Sequence, residues 1–214
     1  MAFTARVETS VTSAFGGTET LNVPADTANG DILFAWICVY NNTLTTAPDG
    51  WIVISTHTNG TEKYYLYYKI ALSEPASYQW VVGSTAHLVG SCYTGGDFDA
   101  SAPIDTFSTL EYHTSNTDLK AEMTVTAANS PLVFFAGCYR ASATTYSNPT
   151  GTDPVPTEDY DGGGGSLYLG IYSTTWSSSG ALSFNVTASA ALTTKHCFAV
   201  ALNTPGAQSS ILII

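Results

Sequence analysis

Residues 31–40, DILFAWICVY, carry one aspartate followed by nine residues that are apolar or aromatic. At nine residues the run is strand-sized and far short of the roughly 18 to 20 needed to cross a bilayer as a helix. It shows no period of two, as a strand with one face in water would. A strand of this kind is covered on both faces, or packed beneath a neighbouring chain. Two further segments read the same way, 132–140 (LVFFAGCYR) and 195–202 (KHCFAVAL). Three such runs mark three inner strands.

Working outward, the rest of the chain is also strand-like. Short runs of β-branched and aromatic residues lie between clusters of Gly, Pro, Asn and Asp. Strands are expected over 3–12, 19–23, 31–40, 51–56, 63–71, 77–82, 86–93, 104–112, 121–126, 132–140, 166–174, 181–186 and 195–202, with no amphipathic helix of useful length. About a dozen strands spaced by turn signals imply an all-β, antiparallel two-sheet β-sandwich, jelly-roll-like. No repeat of fixed period and no linker divides the sequence, so residues 1–205 are expected to form one domain with an N-terminal arm. Residues 206–214 are expected to be an apolar docking tail. In 62–70, EKYYLYYKI, tyrosines occupy both faces of the pleat, so one face should present phenol rings outward. Residues 142–165 read as a long loop ending in four glycines, and loops of that length are usually functional or mobile.

Composition narrows the function. The chain has 214 residues, and only 11% are charged, less than half the usual share of about 25%. Six basic residues against seventeen acidic ones give a formal charge of −11. Such a chain lacks the cations that displace counterions from a polyphosphate, which excludes nucleic acid as a partner. No membrane partner is expected, and the N-terminus has no basic stretch followed by an apolar one, so no secretory signal is expected. Cys38, Cys92, Cys138 and Cys197 each sit in an apolar run without close pairing and read as reduced core thiols.

Candidate chemistry is sparse. His57, His87, His113 and His196 are widely separated and never in a ligand-pair spacing, so each reads as an ordinary strand or turn residue. Glu62, Glu74, Glu111 and Glu122 lack the paired strand pattern of a glycosidase. No nucleophile elbow and no phosphate-binding glycine loop is present. The expectation is a protein that is not an enzyme and needs no cofactor. Weak calcium candidates are Asp97 and Asp99 with Asp105, and a second acidic group is Asp153 with Glu158, Asp159 and Asp161, although solvated loops are the better reading. Tyr65 and Tyr68 are the candidate glycan platform, since phenol rings stack on sugar faces. Candidate docking segments are Phe3 and Val7 near the N-terminus and Ile211, Leu212, Ile213 and Ile214 at the C-terminus.

The motifs GDILFA (30–35), APDGWI (47–52), YYKIA (67–71), SEPASYQW (73–80), CYTGGD (92–97) and APID (102–105) occur in that order. Over about residues 21–110 they resemble a β-sandwich domain recurring in bacteriophage virion proteins and bacterial surface proteins. The resemblance implies scaffold roles: Gly and Pro set turns, Trp51 and Trp80 fill the core, Asp97 and Asp105 brace turns. It carries over no active site. It implies a virion structural protein made in the host cytoplasm, most simply a capsid decoration (cement) protein on the outer surface. Its expected partners are the major capsid protein and copies of itself as a dimer or trimer. The alternative is a carbohydrate-binding, host-adhesion module of a tail fibre or spike, with a glycan as partner.

Overall fold

A computed structural model describes residues 5–13, 16–41, 44–94, 96, 98–108, 111–112, 117–139, 145–146, 155–164, 166–189 and 194–205. Among the described residues every regular element is a strand. The first eight are β1 (Ala5–Ser13), β2 (Gly17–Asn22), β3 (Ile32–Tyr40), β4 (Leu44–Thr46), β5 (Ile52–Asn59), β6 (Glu62–Ile70), β7 (Ser77–Val82) and β8 (Ala86–Tyr93). The second eight are β9 (Ile104–Phe107), β10 (Glu111–Tyr112), β11 (Asp118–Val125), β12 (Ser130–Tyr139), β13 (Thr157–Gly164), β14 (Leu167–Trp176), β15 (Gly180–Thr187) and β16 (Thr194–Leu202).

The strands form four antiparallel sheets where two were expected. The first half of the chain builds a large sheet in the order β1-β8-β3-β6-β5 and a small one, β2-β7-β4. The second half builds β10-β16-β12-β14-β13, with β9 also on β16, and the pair β11-β15. The two large sheets face each other. On β3, Ile32, Phe34, Trp36 and Cys38 point into this seam and meet Val133 and Phe135 of β12, Leu169 and Ile171 of β14, and Phe198 and Val200 of β16. The alternate residues Ala35, Ile37 and Val39 pack instead against Leu21, Trp80 and Val82 of the small sheet. β12 behaves likewise, with Phe134, Ala136 and Cys138 turned towards Leu119, Val125 and Phe184 of β11-β15. This layering explains the unbroken apolar runs: both large sheets are covered twice, once by each other and once by their own small sheet.

The strand order of the first half recurs in the second. β1-β8-β3-β6-β5 corresponds to β10-β16-β12-β14-β13, and β2-β7 to β11-β15. Even β4, which pairs β7, has a counterpart in the bridge between Tyr146 and Ala188 just past β15. Matching the registers of the halves at Trp36 and Phe135 pairs Tyr67, opposite Ala35, with Tyr172, opposite Phe134.

The expected loop over 142–165 gives way in its last part to β13, the edge strand of the second large sheet. Its glycines are there for closeness. A Cβ on Gly162 would lie 2.7 Å from the Tyr160 hydroxyl, and one on Gly163 2.2 Å from the Leu167 carbonyl oxygen. On β6, Tyr65 and Tyr67 share the face that lies half-buried against the small sheet, while Tyr64, Leu66 and Tyr68 turn to the seam. All four cysteines are buried, and none is joined in a disulfide.

Several of the motif residues brace turns and core. Trp80 is fully buried and meets Trp51 edge-to-face at 5.3 Å. Glu74 accepts hydrogen bonds from Lys69, Tyr78 and the Leu72 amide, and Ser73 beside it holds a φ of 54°. Burial works against the Glu74 charge, yet the donors from Lys69 and Tyr78 hold its carboxyl below the usual range. Asp105 accepts from the Thr126 amide and hydroxyl at 3.1 and 2.5 Å.

Candidate functional site: two histidines in the seam

The matched register of the halves makes two histidines counterparts. His87 on β8 lies opposite Cys38, and His196 on β16 lies opposite Gly137 at the corresponding place. Each is in the last strand of its half, each turns into the seam, and each touches the edge strand of the other half. Those edge strands, β13 and β5, are themselves counterparts. The two contacts therefore sit at opposite lateral ends of the seam.

At one end, the His87 ring nitrogens sit 2.6 Å from the Thr12 hydroxyl and 3.0 Å from the Tyr160 hydroxyl, joining β1 to β13 through the imidazole. The Tyr160 ring stacks on it at 6.1 Å. Beside this chain, Tyr93 donates to Asp159 at 2.6 Å, a second tie between the halves. His87 is 2% exposed, and burial lowers its pKa to about 4. At the other end, His196 is completely buried and packs on the Tyr64 ring at 3.9 Å and on His57 at 4.5 Å. Burial, and secondarily His57, lower its pKa to about 3, and burial also lowers that of His57. Burial pushes the Tyr64 hydroxyl well above its usual range, with Cys38 beside it. Near neutral pH both histidines are uncharged.

The second end depends on a missing side chain. A Cβ on Gly137 would lie 2.9 Å from Tyr64 Cε1 and 3.0 Å from Leu169 Cδ2. Gly137 therefore gives the Tyr64 ring the room to reach His196. Gly137→Ala should overfill the seam and cost about 1–3 kcal/mol, read as a lower denaturant midpoint at unchanged slope. A change below about 0.5 kcal/mol would show that the ring can move aside freely.

Chemically, the arrangement holds two sheets together through neutral imidazoles and phenols, and it resists protonation. Among the described residues no group of three or more His, Cys, Asp or Glu is placed to hold a metal ion. Of the calcium candidates, Asp97 lies outside the described residues. Asp99 accepts from the Ser101 amide and hydroxyl, and Asp105 is occupied with Thr126 on another turn, so the structure does not unite these two carboxylates around one ion. Glu158, Asp159 and Asp161 lie along β13, while Asp153 is outside the described residues. Tyr65 and Tyr68 are not brought together: Tyr65 packs with the small-sheet core and Tyr68 with the seam, since residues three apart in a strand point to opposite faces. Phe3 and the Ile211, Leu212, Ile213 and Ile214 tail lie outside the described residues, and Val7 lies on β1.

By sequence pattern alone, His87 and His196 read as ordinary strand residues. The available signal was their matched setting, each near the start of the last strand of its half and followed at once by a buried apolar run, as AHLV and KHCF. No family model matches this chain, and neither the curated proteins nor the solved structures contain a match to it.

Proposed function

We propose that this chain is a structural protein of a bacteriophage particle, a capsid decoration (cement) protein of the outer surface. It works through shape and packed contacts. Each half is then a jelly-roll-like two-sheet sandwich, and the pair forms one rigid block. The observation that carries this reading is where the perturbed groups lie. His87, His196, Cys38, Tyr64, Tyr146 and Tyr172, whose ionisation burial suppresses, are sealed in sheet-to-sheet contacts. Groups tuned for catalysis are expected to line a cleft open to a substrate. The low charge fraction fits close packing among neighbours, because charged residues are depleted from interface centres.

Co-sedimentation of the protein with particles lacking it tests the proposal. The full chain should pellet with them in copy numbers of hundreds, and a chain lacking residues 207–214 should remain folded but stay in the supernatant. Failure of the full chain to pellet overturns the particle role. Full binding by the truncated chain overturns the tail as docking segment.

A further inference from the structure

The two halves treat their equivalent edge strands in opposite ways. A free strand edge is a template for pairing with another chain, and proteins usually blunt it with charge, proline or irregular backbone. On the second large sheet the edge is β13, TEDYDGGG, which carries Glu158, Asp159 and Asp161 and three glycines. On the first it is β5, IVISTHTN, an eight-residue strand with no charged side chain and mostly β-branched residues. A bulge between Val53 and Ser55 is its one irregularity, and Ser55 to Asn59 follow β6 in regular register.

Exposed apolar residues gather on the same lateral side. The contact of His57 with His196 puts β5 over β16, so β9, which pairs β16, flanks β5 on that side. Among the described residues five large hydrophobics are exposed, and three of them are here: Ile52 at 53%, Val53 at 49% and Phe107 at 46%. The other edges suit self-association less. β1, β2, β10 and β11 each carry a carboxylate, β4 has three residues, and β15 runs into the Tyr146 bridge. In a chain of charge −11, two copies repel unless they meet where neither bears acid.

We propose that β5 is the contact between two copies of this chain. It runs antiparallel to its symmetry mate across a two-fold axis and fuses two five-stranded sheets into one of ten strands. An isologous contact requires a surface complementary to itself, and an uncharged, β-branched strand satisfies that, whereas β13 against its own copy would set acid against acid. This assignment goes beyond the particle role and is measured on the free protein, so its failure leaves particle binding to its own assay.

The experiment is sedimentation equilibrium of the full chain over a micromolar concentration series. The expected mass is twice the 22.6 kDa of one chain. Thr56 and Thr58 are exposed on β5, and the double variant T56K/T58K, which sets like charges across the axis, should raise the dissociation constant by about tenfold or more. A wild-type chain that stays at the single mass overturns the proposal, as does a folded double-lysine variant that keeps the doubled mass. A second route avoids introducing charge: Thr56→Cys should cross-link into a dimer under mild oxidation, while Thr20→Cys on β2 should not. Equal cross-linking of both, or of neither, also overturns it.

Discussion

Lowering the pH from 7 to 5 should remove on the order of 4 kcal/mol of folding stability, above the midpoint of an ordinary carboxylate. The cause is the pair of seam histidines. In the unfolded chain an imidazole takes up its proton near pH 6.5, whereas in the folded protein His87 does so only at about 4 and His196 at about 3. The unfolded state therefore binds more protons throughout the interval between. Stability is complete above pH 6.5 and falls as pH drops towards the folded values. At pH 5 each histidine accounts for about 2 kcal/mol, against a typical total of about 5–15 kcal/mol. Denaturant midpoints between pH 7.5 and 4.5 measure the effect. His196→Leu with His87→Gln should flatten the curve above pH 5, even if the double variant is less stable at neutral pH. A wild-type curve that is already flat there would mean that the imidazoles are not sealed from water.

The Glu74 brace supplies the contrast within the same titration. Its carboxyl is held below the usual range, so its contribution is present above the unfolded value near 4.3 and disappears as pH falls further. The two effects begin at different points: from pH 6.5 down to about 4.3 the imidazoles act alone, and the carboxylate joins them only below that, so the upper part of the titration assigns the histidines.

Much of the strand inventory was legible because the hydrophobic pattern states it directly. The runs at Ile32–Tyr40, Ser130–Tyr139 and Thr194–Leu202 are apolar on both faces, and the structure covers both faces of each. β4 and β13 were not legible. Leu44–Thr46 is too short to show a period, and six of the eight residues of TEDYDGGG are types depleted in strands, its pairing being imposed by β14. The recurrence of strand order escaped the sequence because it survives in topology and only thinly in residues. Phe135 stands for Trp36 and Gly137 for Cys38, and unequal connections shift the spacing between counterparts from one strand to the next. The two-histidine site was hidden for the same reason: it exists only once both halves are folded and facing each other.

The seam itself makes the strongest energetic claim, and Trp36 is where it can be tested. Trp36 is 1% exposed, packs on Tyr64 at 5.6 Å and on Phe135 at 5.8 Å, and donates its indole N–H to the Ala136 carbonyl oxygen at 3.1 Å. Both contacts with Phe135 and Ala136 cross from the first half to the second. Trp36→Ala should cost about 3–5 kcal/mol through the cavity and the lost contacts, with the indole hydrogen bond adding to it. Trp36→Phe, which keeps a ring in the seam but not the donor, should cost clearly less. Trp51, part-buried in the outer core of the first half, bears on the small sheet instead, so Trp51→Ala should not loosen one half from the other. Denaturant unfolding followed by far-ultraviolet circular dichroism separates the cases. The wild-type chain should unfold in one transition, because each large sheet needs the other to cover its apolar face. Trp36→Ala should broaden that transition or split it in two, while Trp51→Ala should leave it single. A Trp36→Ala loss below about 1 kcal/mol, at the level of ordinary surface changes, would mean that the two large sheets are independent and that the neutral histidines between them bind nothing together.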